Sequence, residues 1–172
     1  MEIRFLTPND ADEWWRLRLE SLRGDPGAFG SSSEEHMSIS MDEVRRRLGA
    51  DASDIFVGGA FEDGRLVAMV SFHREKGLKS RHKGRIWGVY VTPEKRATGL
   101  GRKVLEMVLQ RGIAMDGVEQ VLLSVTATQT AAIGLYRSLG FESFGLEPRA
   151  LKIGDRYVDE EHMILRMEGR KH

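Results

Sequence analysis

The sequence contains no cysteine. Disulfide bonds, metal sites built from thiolates and reactions through a covalent cysteine intermediate are therefore excluded. The sequence also has no run of about 18 apolar residues, the length that a membrane-spanning helix needs. Its first residues, Met1 to Leu6, lack the long apolar core of a secretory signal peptide. These absences lead us to expect a cytoplasmic protein with no membrane partner.

The chain carries no net charge, because 26 Lys and Arg residues balance 26 Asp and Glu residues. Nucleic acids attract strongly basic proteins, so no nucleic-acid partner is expected. A length of 172 residues with 41% hydrophobic content is enough to bury a core, and we expect one domain over residues 1–172. His73, His82 and His162 lack the spacing of metal ligands, so no metal is expected.

One segment has the pattern of an anion-binding loop, Arg96-Ala97-Thr98-Gly99-Leu100-Gly101. It follows the apolar run Ile86–Val91 and leads into an amphipathic stretch, Leu100 to Met115, which predicts a strand, a loop and a helix. Glycine lets the main chain approach an anion closely, and the free N–H groups at a helix N-terminus point at it. The segment therefore predicts a site for a phosphorylated cofactor.

The spacing of the glycines decides which loop this is. A dinucleotide fingerprint would place a third glycine at Val104, and a Walker loop would place Lys-Ser/Thr directly after Gly101, where the chain has Arg102-Lys103. Both are disfavoured. The pattern Arg/Gln-x-x-Gly-x-Gly/Ala resembles the pyrophosphate loop of the GCN5-related N-acetyltransferase (GNAT) superfamily, whose members use acetyl-coenzyme A.

A second motif about thirty residues downstream strengthens the resemblance. The segment Ala131 to Phe141, with Leu135-Tyr136 and Gly140-Phe141, is similar to the family's Asn-x-x-Ala-x-x-Leu-Tyr-x-x-x-Gly-Phe signature. The chain departs from it at Gln129, where relatives usually have an asparagine that binds the pantetheine arm. Glutamine keeps the same donor and acceptor groups on a longer stem.

The resemblance implies a set of site residues. Tyr136 by itself is typical of a buried core aromatic, but in the family this tyrosine faces the cofactor sulfur and serves as the general acid. The main-chain N–H of Val91 is the implied donor to the reacting carbonyl oxygen. The residues implied to bind the cofactor are Val89, Val91, Arg96, Ala97, Thr98, Gly99, Leu100, Gly101, Arg102 and Gln129.

The implied activity is direct transfer of an acetyl group from acetyl-coenzyme A to a primary amine of a small molecule or a protein. The alternative is a non-catalytic acyl-coenzyme A sensor of the same fold, which the intact Tyr136 argues against. Many relatives carry a glutamate as general base on the fourth strand, but this chain has Ile86-Trp87-Gly88 there. Glu34, Glu35, His73 or a water chain remain as candidate bases, and a homodimer is a further possibility common in the superfamily.

Hydrophobic periodicity, capping boxes at Thr7 and Ser40, and the Asp63-Gly64 turn predict the secondary structure. The order is β-α-α-β-β-β-α-β-α-β-β, which predicts an α/β (α+β) fold with helices on both faces of a sheet. The GNAT resemblance implies that this sheet has seven strands and is mostly antiparallel. A loop is expected at Gly24–Ser40, and the last two strands at Phe141–Leu146 and His162–Met167.

Overall fold

The computed structural model describes residues 1–49 and 54–167. Short 3₁₀ turns precede α1, follow it at Pro26–Ala28 and follow β4 at Pro93–Lys95. No helix in the described ranges is long and apolar enough to cross a membrane. The elements in chain order are β1 (Glu2–Phe5), α1 (Ala11–Gly24), α2 (Ser33–Met37), α3 (Met41–Gly49), β2 (Ile55–Glu62), β3 (Arg65–Arg74), β4 (Lys83–Val91), α4 (Leu100–Ala114), β5 (Gln120–Thr126), α5 (Thr130–Ser138), β6 (Glu142–Ile153) and β7 (Arg156–Arg166).

The described strands form one seven-stranded sheet in the order β1-β2-β3-β4-β5-β7-β6. β4 and β5 are parallel, and the other described neighbours are antiparallel. One hydrophobic core packs α4 and α5 against one face, and a second packs α1 and α3 against the other. This confirms the predicted fold class, a mixed and mostly antiparallel sheet with helices on both faces.

The segment predicted as a loop, Gly24–Ser40, contains the additional helix α2. Ser32 and Glu35 form a capping box at its start: the Glu35 N–H donates to Ser32 Oγ at 3.1 Å, and the Ser32 N–H donates to Glu35 Oε2 at 2.8 Å. The prediction of an unbroken loop is therefore wrong. The same Ser-x-x-Glu spacing that predicts a helix at Ser40 is present here as well.

The last two strands are longer than predicted and form one long hairpin, β6–β7. Pro148 interrupts the apolar pattern, but β6 is an edge strand, where the missing N–H of a proline costs no ladder hydrogen bond. An irregularity between Glu147 and Leu151 absorbs the extra residues, and Arg149 takes a positive φ of 55° within it. Because the irregularity breaks the alternation of side chains, the apolar pattern of the sequence does not predict the full length of the strands.

Candidate active site

The site lies where β4 and β5 separate. In the described chain the two strands pair at three positions, Lys83–Arg85 with Gln120–Leu122. Beyond this pairing the strands diverge, and a cavity of about 510 Å³ opens between them. Its wall includes residues of β4, the N-terminus of α4, the second half of β5 and one side of α5. The sheet therefore provides a cleft whose closed end is the short parallel ladder.

A β-bulge at Gly88 shapes the β4 side of the cleft. The register shifts so that Gly88 and Val89 together face one residue of β3, and Gly88 has a positive φ of 61°. The extra residue resets the alternation of side chains. Trp87 and Tyr90 therefore both pack on the α1 face, while Ile86 and Val89 face α4.

The main chain of Val91 points into the cleft. The next residue, Thr92, donates its N–H to Val67 O of β3 at 2.9 Å. Because the main-chain groups of successive strand residues point to opposite sides, the N–H and C=O of Val91 point away from β3. Arg96 Nε donates to the Val91 carbonyl at 3.0 Å, which ties the following loop to the strand. The Val91 N–H is thus directed at the cavity.

The N-terminus of α4 forms the open end of the cleft. The loop reaches it through two positive φ angles, 59° at Ala97 and 78° at Gly99. The first helical hydrogen bond runs from the Lys103 N–H to Gly99 O at 3.2 Å, so the amides of residues 100–102 precede it. No side chain caps them, because Gly99 occupies the N-cap position. These amides, at the positive end of the helix dipole, can bind an anion.

Gly101 keeps this helix mouth open. A Cβ at this position would lie 3.1 Å from Val91 Cγ2, closer than most such contacts. Basic side chains surround the mouth: Arg96 and Lys103 are exposed and form no ion pair with a described residue. Arg102 binds Glu106 at 3.0 Å and also donates to Ser138 Oγ. The mouth therefore combines free amides with positive charge.

Tyr136 lines the same cavity from α5, with 5% of its surface exposed. Its ring packs edge-on against Phe141, with 6.0 Å between the centroids. Burial raises the pKa of the Tyr136 hydroxyl well above its usual range. The hydroxyl is therefore protonated at neutral pH, as an unperturbed tyrosine also is, and burial makes it a weaker acid.

Gln129 caps the start of α5 and lines the same cavity. Its Nε2 donates to Asp25 Oδ2 at 3.1 Å, which joins α5 to the end of α1. Asp25 is the acidic residue on the described wall, and sequence reasoning missed it. The nearest signal was its place in the Gly24-Asp25-Pro26 segment, which is typical of a turn.

The cavity brings together Tyr136 and nine of the ten residues predicted to bind a cofactor; those nine are Val89, Val91, Arg96, Ala97, Gly99, Leu100, Gly101, Arg102 and Gln129. Thr98 lies outside the wall, and its hydroxyl donates to the Lys95 carbonyl at 2.7 Å, which closes the turn. The structure gathers these residues, while their roles toward a cofactor stay predictions.

The candidate bases do not line this cavity. Glu34 is exposed on α2, and Glu35 is engaged in the capping box. His73 lines a second cavity of about 310 Å³ on the α1–α3 face, where burial lowers its pKa. Trp87 lines both cavities.

A polar cluster stands behind the β5 wall. His162 Nδ1 and Ser124 Oγ are 2.8 Å apart, and His162 Nε2 lies 2.9 Å from Glu147 Oε2. Burial raises the pKa of the neighbouring Glu160 carboxyl. Glu147, Glu160 and His162 thus lie close together on β6 and β7, although sequence spacing gave no hint of it. The expectation of no bound metal stays a prediction.

The sequence matches the family model described as the Acetyltransferase (GNAT) family over residues 12–141. The chain belongs to the GNAT acetyltransferase family. The match includes both the glycine loop at the α4 mouth and the Tyr136 helix, two elements that line the cavity.

Curated relatives match this GNAT chain over part of their length. A mycothiol acetyltransferase from Thermobispora bispora is 31% identical over 147 residues, which are 82% of this chain and 46% of that protein. An L-methionine sulfoximine/L-methionine sulfone acetyltransferase from Pseudomonas aeruginosa is 32% identical over 80 residues, 46% of each chain. The chain thus spans about half the length of the first of these relatives, and the shared part of the second is similarly limited.

Solved structures show the same fold along nearly the whole length. A GNAT-family acetyltransferase from Streptococcus pneumoniae has a TM-score of 0.84 at 23% identity, covering 96% of this chain and 99% of that one. A putative acetyltransferase from Salmonella typhimurium, solved with acetyl-CoA, has a TM-score of 0.82 at 22% identity, covering 100% and 96%. At this identity the likeness establishes the fold.

Proposed function

We propose that this protein is an enzyme that transfers an acetyl group from acetyl-CoA directly to a primary amine of a small molecule or a peptide. The observation that carries the proposal is a single cavity with two complementary ends. Free amides and positive charge lie at the α4 mouth, and a buried Tyr136 lines the same cavity from α5.

The cleft fits acetyl-CoA at each of its parts. The amides of residues 100–102, together with Arg96 and Arg102, bind the pyrophosphate. The main-chain groups of Val89 bind the pantetheine arm as a neighbouring strand would, with the Gln129 amide also in contact with it, and the Val91 N–H binds the thioester carbonyl. When bound, acetyl-CoA supplies an activated thioester that an amine attacks directly, since the chain has no cysteine.

Three groups of this chain then perform the chemistry. An alkyl amine has a pKa near 10, so it must lose a proton before it attacks. Asp25 is the carboxylate on the described wall and accepts this proton, directly or through water. The Val91 N–H donates to the carbonyl oxygen where negative charge develops. The Tyr136 hydroxyl donates its proton to the departing sulfur.

The named relatives support an acceptor of low molecular weight, because two of them carry the names of small molecules, mycothiol and L-methionine sulfoximine. A solved neighbour named as a ribosomal-protein-alanine N-acetyltransferase keeps a peptide acceptor within the proposal. The non-catalytic alternative differs in one measurable respect: a sensor binds acetyl-CoA but releases no free thiol when amines are added.

The test is calorimetric binding of acetyl-CoA, followed by release of free thiol with a panel of amines. We expect Gly101→Glu to weaken binding by about 100-fold or more, equivalent to about 2.7 kcal/mol, because its carboxylate enters the pyrophosphate site. The matched control is Gly134→Glu on the exposed side of α5, where a Cβ meets nothing within 4 Å. Equal affinity in a folded Gly101→Glu protein would remove the cofactor assignment, and binding without thiol release would favour the sensor.

A further inference from the structure

Behind one wall of the cleft lie buried hydrogen-bond donors without acceptors. Among the described residues, the buried side-chain atoms that have no partner are Trp14 Nε1, Arg18 Nη1, Ser71 Oγ and Trp87 Nε1. All four belong to the α1–α3 face of the sheet. Three of them can only donate, and the fourth is a hydroxyl that donates readily. A group of buried donors without an acceptor is suited to bind an anion.

Arg18 is the charged member of this group. It is 6% exposed and forms no ion pair or side-chain hydrogen bond with any described residue. Its guanidinium lies 4.9 Å from the centre of the Phe29 ring and 5.7 Å from the Trp87 ring. Burial lowers its pKa to about 10, so the side chain keeps its charge at neutral pH. An unpaired buried charge costs folding free energy, so packing alone does not explain this residue.

The bulge at Gly88 lies next to two of the donors. A Cβ at this position would lie 3.4 Å from Ser71 Oγ and 3.6 Å from Arg18 Nη1, so both atoms lie close to the same point beside Gly88. Gly88, Trp87 and Phe29 also line the cleft in which acetyl transfer is proposed. The donors therefore stand directly behind the wall that an acceptor amine would contact.

We propose that Arg18 binds a carboxylate of the acceptor, with Ser71 and Trp87 as further donors, so that the acceptor is a small amine that also carries a carboxylate, as an amino acid does. This inference rests on the proposed acetyl transfer. One guanidinium balances one negative charge, and a carboxylate matches its planar fork of donors. A phosphate dianion would leave a second charge uncompensated between two aromatic rings.

The experiment compares the common L-amino acids with their carboxamides as acceptors, with free-thiol release as the readout. In the wild type, at least one amino acid should exceed its carboxamide by about 100-fold in kcat/KM, because buried donors left unpaired reject the neutral analogue. In Arg18→Met this ratio should fall to about one, through KM for the acceptor, while KM for acetyl-CoA stays within about twofold. The matched control, Arg23→Met, alters an exposed arginine of the same helix and should keep the wild-type ratio.

A second variant keeps the test decisive if Arg18→Met folds poorly. Ser71→Ala removes one hydroxyl from β3 and should lower the ratio by about fivefold. Equal rates for the two members of every pair, or a preference for the carboxylate that survives in Arg18→Met, would overturn the inference and leave acetyl transfer standing. Failure to use any amino acid while other amines are acetylated would overturn it as well. If the wild-type protein does not bind acetyl-CoA, the proposed function itself is refuted.

Discussion

The two faces of the sheet are packed differently. On the face of α4 and α5, the described core is apolar apart from the Tyr136 hydroxyl, and Val104, Leu105 and Val108 are fully buried. On the face of α1 to α3, the core is interrupted by Arg18, His36 and Ser71, and all four unpaired buried atoms of the described chain lie there.

This difference separates stability from selectivity. The α4 face holds the helix whose N-terminus binds the pyrophosphate in the proposal, and a rigid apolar core keeps that helix in place. Burying donors without partners costs the α1 face folding free energy. In the two proposals, the α4 face therefore positions the cofactor and the α1 face recognises the acceptor.

The largest expected effect is the loss of core packing on the α4 face. Leu105→Ala removes a fully buried side chain and should lower the free energy of unfolding by about 2–5 kcal/mol, because it leaves a cavity. Chemical denaturation measures the change, and Gln110→Ala on the exposed side of α4 is the control. If Leu105→Ala lost no more free energy of unfolding than Gln110→Ala, the α4 face would not be the tightly packed face.

Tyr136→Phe tests whether the α4–α5 face also takes part in chemistry. The change removes one hydroxyl from a packed ring, so the fold and acetyl-CoA affinity should persist. Turnover should fall by about 100-fold, the lower end of general acid catalysis, because a thiolate with a pKa near 8.5 leaves readily without a proton. Steady-state kinetics with Tyr157→Phe, an exposed tyrosine on β7, as control measures it. Turnover within about twofold of the wild type would make Tyr136 a packing residue.

The smallest effect has the opposite sign and lies on the other face. Arg18→Met keeps the volume and helix propensity of the side chain while it removes the unpaired charge. We expect the free energy of unfolding to rise by about 1–3 kcal/mol. Thermal and chemical denaturation of Arg18→Met and Arg23→Met measure the difference. A destabilised Arg18→Met protein would mean that the guanidinium supports the fold through its contacts with Phe29 and Trp87.

The sequence was a good guide to local geometry. The loop from Arg96 to Gly101 needs glycines and a helix start within six residues, so its shape can be predicted from a short pattern, while its role toward a cofactor stays a prediction. The Tyr136 motif can be predicted for the same reason. Leu135 and Tyr136 lie on α5, and Gly140 and Phe141 follow shortly after its end. Periodicity likewise predicted the sheet and the helices on both of its faces.

The sequence was a poor guide where the site draws on distant elements. Arg18, Ser71 and Trp87 come from α1, β3 and β4, and no spacing along the chain relates them. An arginine on an amphipathic helix is normally exposed, so its burial was not expected. The single signal was Gly88 within an apolar strand, which often marks a bulge. The full length of β6 was not predicted for another reason, because Pro148 interrupts the apolar pattern beyond the predicted strand Phe141–Leu146.

The short pairing of β4 with β5 gives this sheet two internal edges in addition to its outer ones. Exposed strand edges invite pairing with other chains, and proteins usually protect them with charge, proline or cover. Here the divergence of β4 and β5 provides the protection. A strand inserted between them would need a constant separation of about 4.8 Å from each neighbour. The gap between β4 and β5 narrows toward Arg85 and Leu122, so an inserted strand could not keep that separation from both. In the proposed function a thin linear molecule occupies this opening, and the same divergence makes it a poor template for a further polypeptide strand.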